Sequence, residues 1–360
     1  MQLLSVHMQD FRCYIHAAMQ PCPGVNLLWG ENAAGKTNLL EAIHFGLCGH
    51  SFRTNRDEET IRTGAEAAII RTLVLKKGLE VETAVEIRTG AKKLLLNGKE
   101  ESQRALPGER SLLLFRPEDL RVVTGLPGER RRFLDGVLSG IIPGYRGTLQ
   151  RYFRALEQRN ALLRRLRDRA SKAAGYATWT ETFVTAGSEV IALRMEGLRR
   201  LAPAVASFYR TLTGRRLTLR YLSTVEIKEG SGGLRESFRE RLQALEREEL
   251  LSGQTLAGPH RDDLLFVVND KNLRRQGSRG EQRAAVLAAK MAEAQIREEV
   301  QKEHLIYLLD DVFSELGDQW RAALLASLEG RQAFVTTTDP AVKAGGCTFR
   351  IDAGDIIWEE

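Results

Sequence analysis

Residues 25–43 read VNLLWGENAAGKTNLLEAI, an apolar run, a glycine-containing loop and a helical segment in direct succession. The spacing of Gly30, Gly35, Lys36 and Thr37 matches the P-loop pattern. In that pattern, loop amides and the positive end of the next helix hold phosphate oxygens. The lysine reaches the terminal phosphates and the hydroxyl binds Mg²⁺. An ordinary strand-to-helix turn is the alternative, but the flanking segments lie where a phosphate loop needs them.

The composition sets broad limits on the function. The 360 residues carry 53 Lys plus Arg and 47 Asp plus Glu, for a net charge of +6, which is weak evidence for a polyanionic partner. The length favours two domains, or one domain interrupted by another. The four cysteines lack zinc or disulfide spacing, so we expect reduced thiols. Without a signal-peptide pattern or a long apolar run, we expect a cytoplasmic protein with no membrane partner.

The first 100 residues indicate a β-rich segment around one helix. Strands are expected on both sides of the turn at 21–24, and strand-like runs cover 69–75, 79–87 and 92–96. Asn97-Gly98 predicts a tight hairpin turn after the last of these runs. Beyond residue 253 the chain is expected to return to short apolar strands and helices.

The middle of the chain indicates a helical insert. Apolar residues at 149, 153, 156, 163, 166 and 170 predict an amphipathic helix, and similar spacing predicts helices over 179–212 and 234–245, with a strand-like piece at 217–227. Thr213-Gly214 is expected to end the second helix. We therefore predict a discontinuous lobe that contains the phosphate loop, 1–125 plus 254–360, and a helical arm lobe, 126–253.

The arm also concentrates positive charge. Between Arg130 and Lys172, twelve Lys or Arg face three acidic residues. A solvated helix face is the ordinary explanation of such a run, and a DNA-binding face is the functional one. The candidate DNA-binding residues are Arg131, Arg132, Arg151, Arg154, Arg164 and Arg165.

Two later segments extend the phosphate site. Ser278 and Gly280 head a predicted helix and would present a hydroxyl and amides to a second anion, although Ser-x-Gly-x-Gln is also an ordinary helix start. The apolar run 304–309 ends in Asp310 and Asp311, which predicts a magnesium carboxylate followed by a group that orients water. The run 332–339 predicts another strand with a polar end.

Together these blocks resemble the RecF family, within the SMC-type branch of the ABC ATPases. The resemblance covers nearly the whole chain and rests on the segments 30–43, 51–53, 115–120, 131–135, 258–263 and 278–283. It implies an α/β fold, an ABC-ATPase-like head with mixed β-sheets and an inserted α-helical arm domain. It also implies ATP and Mg²⁺ as cofactors.

The resemblance assigns roles residue by residue. ATP-binding roles fall on Gly30, Glu31, Asn32, Ala33, Ala34, Gly35, Lys36, Thr37 and Asn38. Lys36, Asp310 and Asp311 are assigned catalytic roles. Thr37 and Asp310 are assigned as metal ligands, and Thr338 is assigned a switch role. Ser278, Arg279, Gly280 and Gln282 form the signature that closes on the ATP of a second protomer.

Two positions depart from the usual ABC pattern. Asp311 stands where most ABC ATPases have Glu, and this shorter side chain predicts slow hydrolysis. The segment 314–316 resembles the start of the D-loop, but Gly317 occupies the position where Asp is expected.

The implied function is an ATP-dependent DNA-binding protein of recombinational repair, with weak DNA-stimulated ATPase activity. RecF proteins form an ATP-dependent head-to-tail homodimer, bind duplex DNA at single-strand gaps and ss/ds junctions, and act with RecR and RecO to load RecA. The alternatives are an SMC-like chromosome ATPase, which should have long heptad runs, and another P-loop ATPase such as a kinase or a transporter ATPase.

Overall fold

A computed structural model describes residues 1–168, 175–227, 231–313, 317–339, 342 and 345–359, without the side chains of 109–110 and 231–232. The chain divides into two compact units: the first unit is Met1–Asp119 with Glu298–Glu360, and the second unit is Leu120–Arg297. The boundaries predicted from the sequence lie instead at 125/126 and 253/254. These boundaries separate the chain by proposed role, and they stay a prediction.

Strands predominate at both ends of the chain, and helices predominate in its middle. The strands are β1 (Gln2–Phe11), β2 (Tyr14–Met19), β3 (Val25–Trp29), β4 (Ala67–Lys76), β5 (Leu79–Arg88), β6 (Ala91–Leu96), β7 (Lys99–Glu100), β8 (Leu112–Phe115), β9 (Leu217–Leu222), β10 (Asp263–Val268), β11 (Lys271–Asn272), β12 (Ile306–Leu309), β13 (Ala333–Thr337), β14 (Cys347–Asp352) and β15 (Asp355–Glu359). The α-helices are α1 (Lys36–Cys48), α2 (Gly108–Ser111), α3 (Arg121–Thr124), α4 (Pro127–Ile141), α5 (Tyr145–Arg167), α6 (Tyr176–Thr213), α7 (Ser231–Ser252), α8 (Leu273–Gln276), α9 (Arg279–Gln301) and α10 (Asp318–Ser327). Short 3₁₀ turns cover Asp57–Thr60, Gln103–Ala105 and Pro117–Leu120.

Two sheets build the first unit. One is antiparallel, in the order β2-β1-β4-β5-β6-β7. The other has the order β15-β14-β3-β13-β12-β8, in which β14, β3, β13, β12 and β8 run parallel and β15 pairs antiparallel with β14. The P-loop strand β3 therefore lies inside the sheet between two parallel neighbours, and its residues 25–28 are buried.

The core of the first unit lies around α1. Leu39 and Ile43 of α1 are fully buried with Val6 and Ile70 of the antiparallel sheet and Leu308 of the parallel sheet. Every residue of α1 from Leu39 to Cys48 is buried, so the helix that follows the phosphate loop is held from several sides. A core of this kind fixes the position of the helix start, which is where phosphate would bind.

Helices dominate the second unit. A second apolar core joins Tyr152 of α5, Phe183 and Ile191 of α6, and Phe238 of α7. The small antiparallel sheet β11-β10-β9 also belongs to this unit. None of the helices in the described ranges is both long and apolar enough to cross a membrane.

The local predictions from sequence are largely confirmed. The runs 69–75, 79–87 and 92–96 lie in β4, β5 and β6, and Asn97-Gly98 connects β6 to β7. The predicted stop at Gly214 is the C-cap of α6, with φ of 70°. The mixed α/β architecture with an inserted helical segment agrees with the predicted fold class.

One predicted helix face is wrong in its orientation. The helix predicted over 149–170 is α5, although residue 170 lies outside the described residues. Phe153, assigned to the buried seam, is 46% exposed, whereas Arg159 is buried. The Arg159 guanidinium donates to Glu249 at 2.7 Å and to Thr255 at 2.8 Å. The spacing of apolar residues predicted the wrong buried side of α5, because the side that is buried includes Arg159, whose charge is paired.

The cysteine prediction also needs correction. Cys22 and Cys347 form a disulfide, with Cα atoms 6.0 Å apart, while Cys13 and Cys48 are free thiols. Asn26 lies beside both cysteines: its Oδ1 accepts from the Cys22 amide at 2.8 Å, and it is the register partner of Cys347 across β3 and β14. The two cysteines are 325 residues apart, so their spacing gave no signal.

A buried histidine couples the first unit to pH. His44 of α1 packs edge-on against His50 and Phe52, with ring centroids 5.1 and 5.3 Å away. Burial lowers the pKa of His44 to about 4, and His50 and Arg116 add to this effect. The folded chain thus keeps His44 neutral where the unfolded chain, with a histidine pKa near 6.5, binds a proton.

We expect the unfolding free energy to decrease as the pH falls from about 6.5 to about 4, with His44 contributing on the order of 3 kcal/mol. Because the folded state binds fewer protons in this window, acid favours unfolding. His44→Gln should flatten the pH dependence, measured by urea unfolding at several pH values. The matched control His16→Gln changes an exposed histidine and should keep the wild-type slope. An unchanged slope in His44→Gln would contradict the assignment.

Candidate functional site

The phosphate loop is a tight turn between β3 and α1. Gly35 has φ of +115°, a conformation that favours glycine, and Ala33 also has a positive φ of 67°. A β-carbon on Gly30 would collide with the carbonyl oxygen of Ile351, so this position requires glycine. The predicted ATP-binding residues 30–38 all lie in this loop and in the first turn of α1.

Lys36 lies against the loop that it follows. Its Nζ donates to the carbonyl oxygens of Gly30 at 2.8 Å and Glu31 at 2.7 Å. Burial lowers the pKa of Lys36, and the nearby carboxylates Asp310 and Asp311 oppose this shift. The ammonium group is thus beside the loop and within the field of both aspartates, as a phosphate-binding lysine requires.

A hydroxyl–carboxylate cluster forms the centre of the site. Thr37 Oγ1 donates to the Asp310 carboxylate, 3.0 Å from each oxygen, and Thr336 Oγ1 donates to Asp310 Oδ1 at 2.8 Å. Asp310 is 6% exposed, and burial raises its pKa while the two hydroxyls oppose the rise. The structure therefore brings the two predicted metal ligands, Thr37 and Asp310, into direct contact.

This donor set fits Mg²⁺. One carboxylate and one hydroxyl are hard oxygen donors, and Mg²⁺ is usually bound by one or two carboxylates together with substrate phosphates. No cluster of three or more His, Cys, Asp or Glu able to hold a metal occurs in the described residues. A metal at Asp310 would also favour the charged carboxylate, which burial alone disfavours.

Asp311 continues from Asp310 in a left-handed conformation, with φ of 46°. Its amide donates to Thr336 Oγ1 at 2.7 Å, so Thr336 connects both aspartates. Thr338, the predicted switch residue, is exposed beyond the end of β13. The sequence reasoning placed Thr336 in the polar strand end at 332–339 but not beside the metal carboxylate. The register of β12 with β13, Leu309 beside Val335, places it next to Asp310.

A buried ion-pair network supports the helix of the phosphate loop. Glu41 of α1 is fully buried and accepts from Arg12 at 2.9 and 2.7 Å and from Ser51 Oγ at 2.5 Å. Arg53 Nη1 donates to Asn38 Oδ1 at 2.8 Å. The segment 51–53 is thereby fixed to α1. The sequence did not reveal the physical role of segment 51–53, which is to attach to α1 through Glu41.

The predicted signature belongs to the second unit. Ser278 Oγ and the Ser278 amide both donate to Glu281 Oε2, at 3.1 and 2.9 Å, and Ser278 Oγ accepts from the Glu281 amide at 3.3 Å. This is a capping box at the start of α9. The hydrogen bond from the Ser278 backbone amide lowers the pKa of Glu281. Gln282 Nε2 donates to Leu273 O at 2.8 Å, and Arg279 and Gly280 form the first turn.

The predicted DNA-binding arginines of the second unit differ in their surroundings. Arg132, Arg151, Arg154, Arg164 and Arg165 are exposed, and Arg131 is half-buried. Arg151 forms an ion pair with Glu189 at 3.1 Å, which reduces the positive charge that Arg151 could offer to DNA. Arg131 Nη1 donates to Asp262 O at 2.8 Å. The predicted D-loop start, 314–316, lies outside the described residues, and Gly317 caps α10.

Comparison with known proteins agrees with this geometry. The family described as "RecF/RecN/SMC N terminal domain" matches residues 2–346. The protein "DNA replication and repair protein RecF" of Desulforudis audaxviator is 36% identical over 361 residues, covering 99% of both chains. The protein of the same name from Symbiobacterium thermophilum is 38% identical, covering 100% of this chain and 99% of the relative.

Solved structures give the same result. The structure described as "recombination mediator protein RecF-ATP in RecFOR pathway" has a TM-score of 0.84 and 31% identity, covering 100% of this chain and 98% of that one. An SmcHead bound to the C-winged helix domain of ScpA has a TM-score of 0.62 at 16% identity, covering 100% of this chain and 97% of that one. At that identity the second likeness concerns the fold alone.

Thr336→Val should weaken the site because it removes the hydroxyl that joins both aspartates. The Asp311 amide would lose its partner in a part-buried position, at a cost of about 1–3 kcal/mol in unfolding free energy. Urea unfolding measures this cost, and ATP turnover should fall in parallel. Thr338→Val, two residues further and exposed, is the matched control and should keep wild-type stability. An equal loss of unfolding free energy in the two variants would contradict the assignment to Thr336.

Proposed function

The chain belongs to the RecF family of DNA replication and repair proteins, and we propose that it is an ATP-driven switch that grips DNA at single-strand gaps. The contact of Thr37 and Thr336 with the buried Asp310 carries the proposal. It joins the phosphate loop to the strand that supplies the metal carboxylate. Since the matched relatives extend over nearly the whole chain, a P-loop kinase or a transporter ATPase is set aside.

ATP and Mg²⁺ would be held by the residues around this contact. The amides of residues 30–37 and the start of α1 would bind phosphate oxygens, and Lys36 would supply positive charge at their end. Thr37 and Asp310 would hold the metal, which neutralises phosphate charge. Asp311 would orient the attacking water, and its short side chain suits slow, weak ATPase activity.

The second half of the ATP site would come from another copy of the chain. Ser278, Gly280 and the start of α9 offer a hydroxyl and helix-start amides that could bind the terminal phosphate. The capping box already orders this helix start. In the ATP-bound homodimer, Ser278 would exchange Glu281 for a phosphate oxygen. The dimer would therefore be formed by ATP and lost after hydrolysis.

DNA would bind to the basic helices of the second unit. The exposed Arg132, Arg154, Arg164 and Arg165 are the main candidates, with Arg131 and Arg151 held more tightly by neighbouring groups. Two copies in a dimer would double this charge and raise affinity for duplex DNA near a ss/ds junction. As a cytoplasmic member of the RecFOR pathway, the protein would work with RecO and RecR to load RecA.

Analytical ultracentrifugation tests the ATP-dependent dimer. Wild type should sediment as a dimer with ATP and as a monomer with ADP or without nucleotide. Ser278→Arg should remain monomeric with ATP because it blocks the signature, and Asp310→Asn should weaken Mg²⁺-dependent dimerisation. Ser252→Arg, the same change at the end of α7, is the control and should dimerise normally. A Ser278→Arg dimer would contradict the composite site.

Charge reversal tests the DNA face. A variant carrying Arg154→Glu, Arg164→Glu and Arg165→Glu should bind duplex DNA more than tenfold more weakly, and the logarithm of its affinity should depend less steeply on that of the salt concentration. ATP-dependent dimerisation should persist, since the residues that would bind the ATP phosphates are unchanged in this variant. Arg71→Glu, Arg88→Glu and Arg104→Glu reverse three exposed arginines of the first unit and provide the matched control. Undiminished DNA binding by the arm variant would contradict the assignment.

A further inference from the structure

The second unit contains a cavity of about 390 Å³ between facing sides of α4 and α5. Its lining consists of Gly128, Arg131, Arg132, Asp135, Gly136, Ser139, Arg146, Leu149, Phe153, Arg194 and His260. On each helix the lining residues recur at steps of three, four or seven, so one continuous face of each helix borders the cavity. The volume lies within the range of small-ligand sites.

The cavity carries a net positive charge. Within the described ranges, no Asp or Glu lies within ion-pair distance of Arg132 or Arg146, whereas Arg131 donates to the carbonyl oxygen of Asp262 at 2.8 Å and lies in the field of nearby aspartates. The one carboxylate in the lining, Asp135, is already neutralised, because Arg194 donates to its two oxygens at 3.0 and 2.9 Å. Burial lowers the pKa of His260 to about 4, so this histidine adds a neutral ring at pH 7.

An exposed aromatic ring stands beside these charges. Phe153 is 46% exposed, although Tyr152 next to it is fully buried and supports it edge-on with ring centroids 5.5 Å apart. Arg146 and Leu149 precede Phe153 by two turns and one turn on the same side of α5. The cavity therefore offers an exposed aromatic ring and the guanidinium group of Arg146 on α5, and the guanidinium groups of Arg131 and Arg132 on α4.

We infer that this cavity binds one unpaired nucleotide of single-stranded DNA, with its base on Phe153 and its phosphates on Arg131, Arg132 and Arg146. The inference rests on the proposed DNA-binding function and adds a subsite to it. Aromatic rings beside a basic groove are how proteins hold single strands, because every base has a face that can stack. A base inside a duplex has both faces covered by its neighbours.

The combination of groups selects this occupant. A free anion or a duplex backbone would engage the arginines and leave Phe153 unused. An acidic protein segment would pair with Arg132 and Arg146 but would gain little from a phenyl ring next to neutral His260. The inferred subsite also gives a physical reason for preferring gaps, since only DNA with unpaired bases can use both the ring and the arginines.

Phe153→Leu is the central test because it keeps an apolar side chain and removes the ring. Binding to a gapped duplex and to a continuous duplex of equal length is measured by fluorescence anisotropy with ATP and Mg²⁺. We expect about tenfold weaker binding to the gapped duplex and less than a twofold change for the continuous one. Phe153→Trp should restore gap binding, and Arg146→Ala should weaken it. Arg88→Ala, an exposed arginine of the first unit, is the control.

A base analogue gives an independent readout. 2-Aminopurine placed in the gap should lose fluorescence on binding wild type through stacking, and should lose little on binding Phe153→Leu. Wild-type gap affinity in Phe153→Leu would overturn the inference. Equal losses for gapped and continuous duplex in Phe153→Leu and Arg146→Ala would indicate backbone contact alone, which overturns the subsite and leaves the proposed DNA binding intact.

Two further outcomes are also decisive. If the variants bind every DNA normally but lose affinity for purified RecR, the cavity is a protein-docking site and the inference is wrong. If wild type binds no DNA at all with ATP, the proposed function fails and the subsite fails with it. Because Phe153 is half-exposed, thermal unfolding of each variant should match wild type, which separates loss of binding from loss of fold.

Discussion

The nucleotide site depends on the parallel register of three strands. Leu309 of β12 pairs with Val335 of β13, and Thr337 of β13 pairs with Trp29 of β3. Parallel strands present their carboxyl ends at one edge of the sheet, where ligands bind in open α/β folds. This register brings the phosphate loop, the two aspartates and Thr336 to one point. The burial of α1 then keeps the loop and its helix start in place.

Buried arginine–carboxylate pairs organise the second unit in a comparable way. Arg130 pairs with Asp263 at 2.6 Å, and Arg159 pairs with Glu249 at 2.7 Å, with both arginine side chains almost fully buried. Removing one partner of such a pair leaves an uncompensated charge and typically costs about 3–5 kcal/mol. Part of the basic run between Arg130 and Lys172 therefore stabilises the fold, and only the remainder is available to a nucleic acid.

Sequence reasoning succeeded where the physics is local. The phosphate loop, the hairpin at Asn97-Gly98 and the end of α6 at Gly214 follow from backbone preferences of short segments. An apolar run that ends in carboxylates led to Asp310, which the structure places against Thr37. The contact of Thr336 with both aspartates and the exposure of Phe153 were not foreseen, because they depend on strand register and on a buried ion pair. The Cys22–Cys347 disulfide depends on a pairing between distant strands, which no local spacing reports.

The interleaving of the two chain ends in one sheet has a consequence for synthesis. The Asn26 side chain and the Ala333 carbonyl are hydrogen-bonded although 307 residues separate them. At about 5–20 residues per second, a ribosome needs roughly 15–60 s between these two points. During that interval the apolar strand β3, with Leu27 and Leu28, has no partner strand. The contiguous second unit can fold meanwhile, whereas the apolar strand β3 must wait for the C-terminal part of the chain.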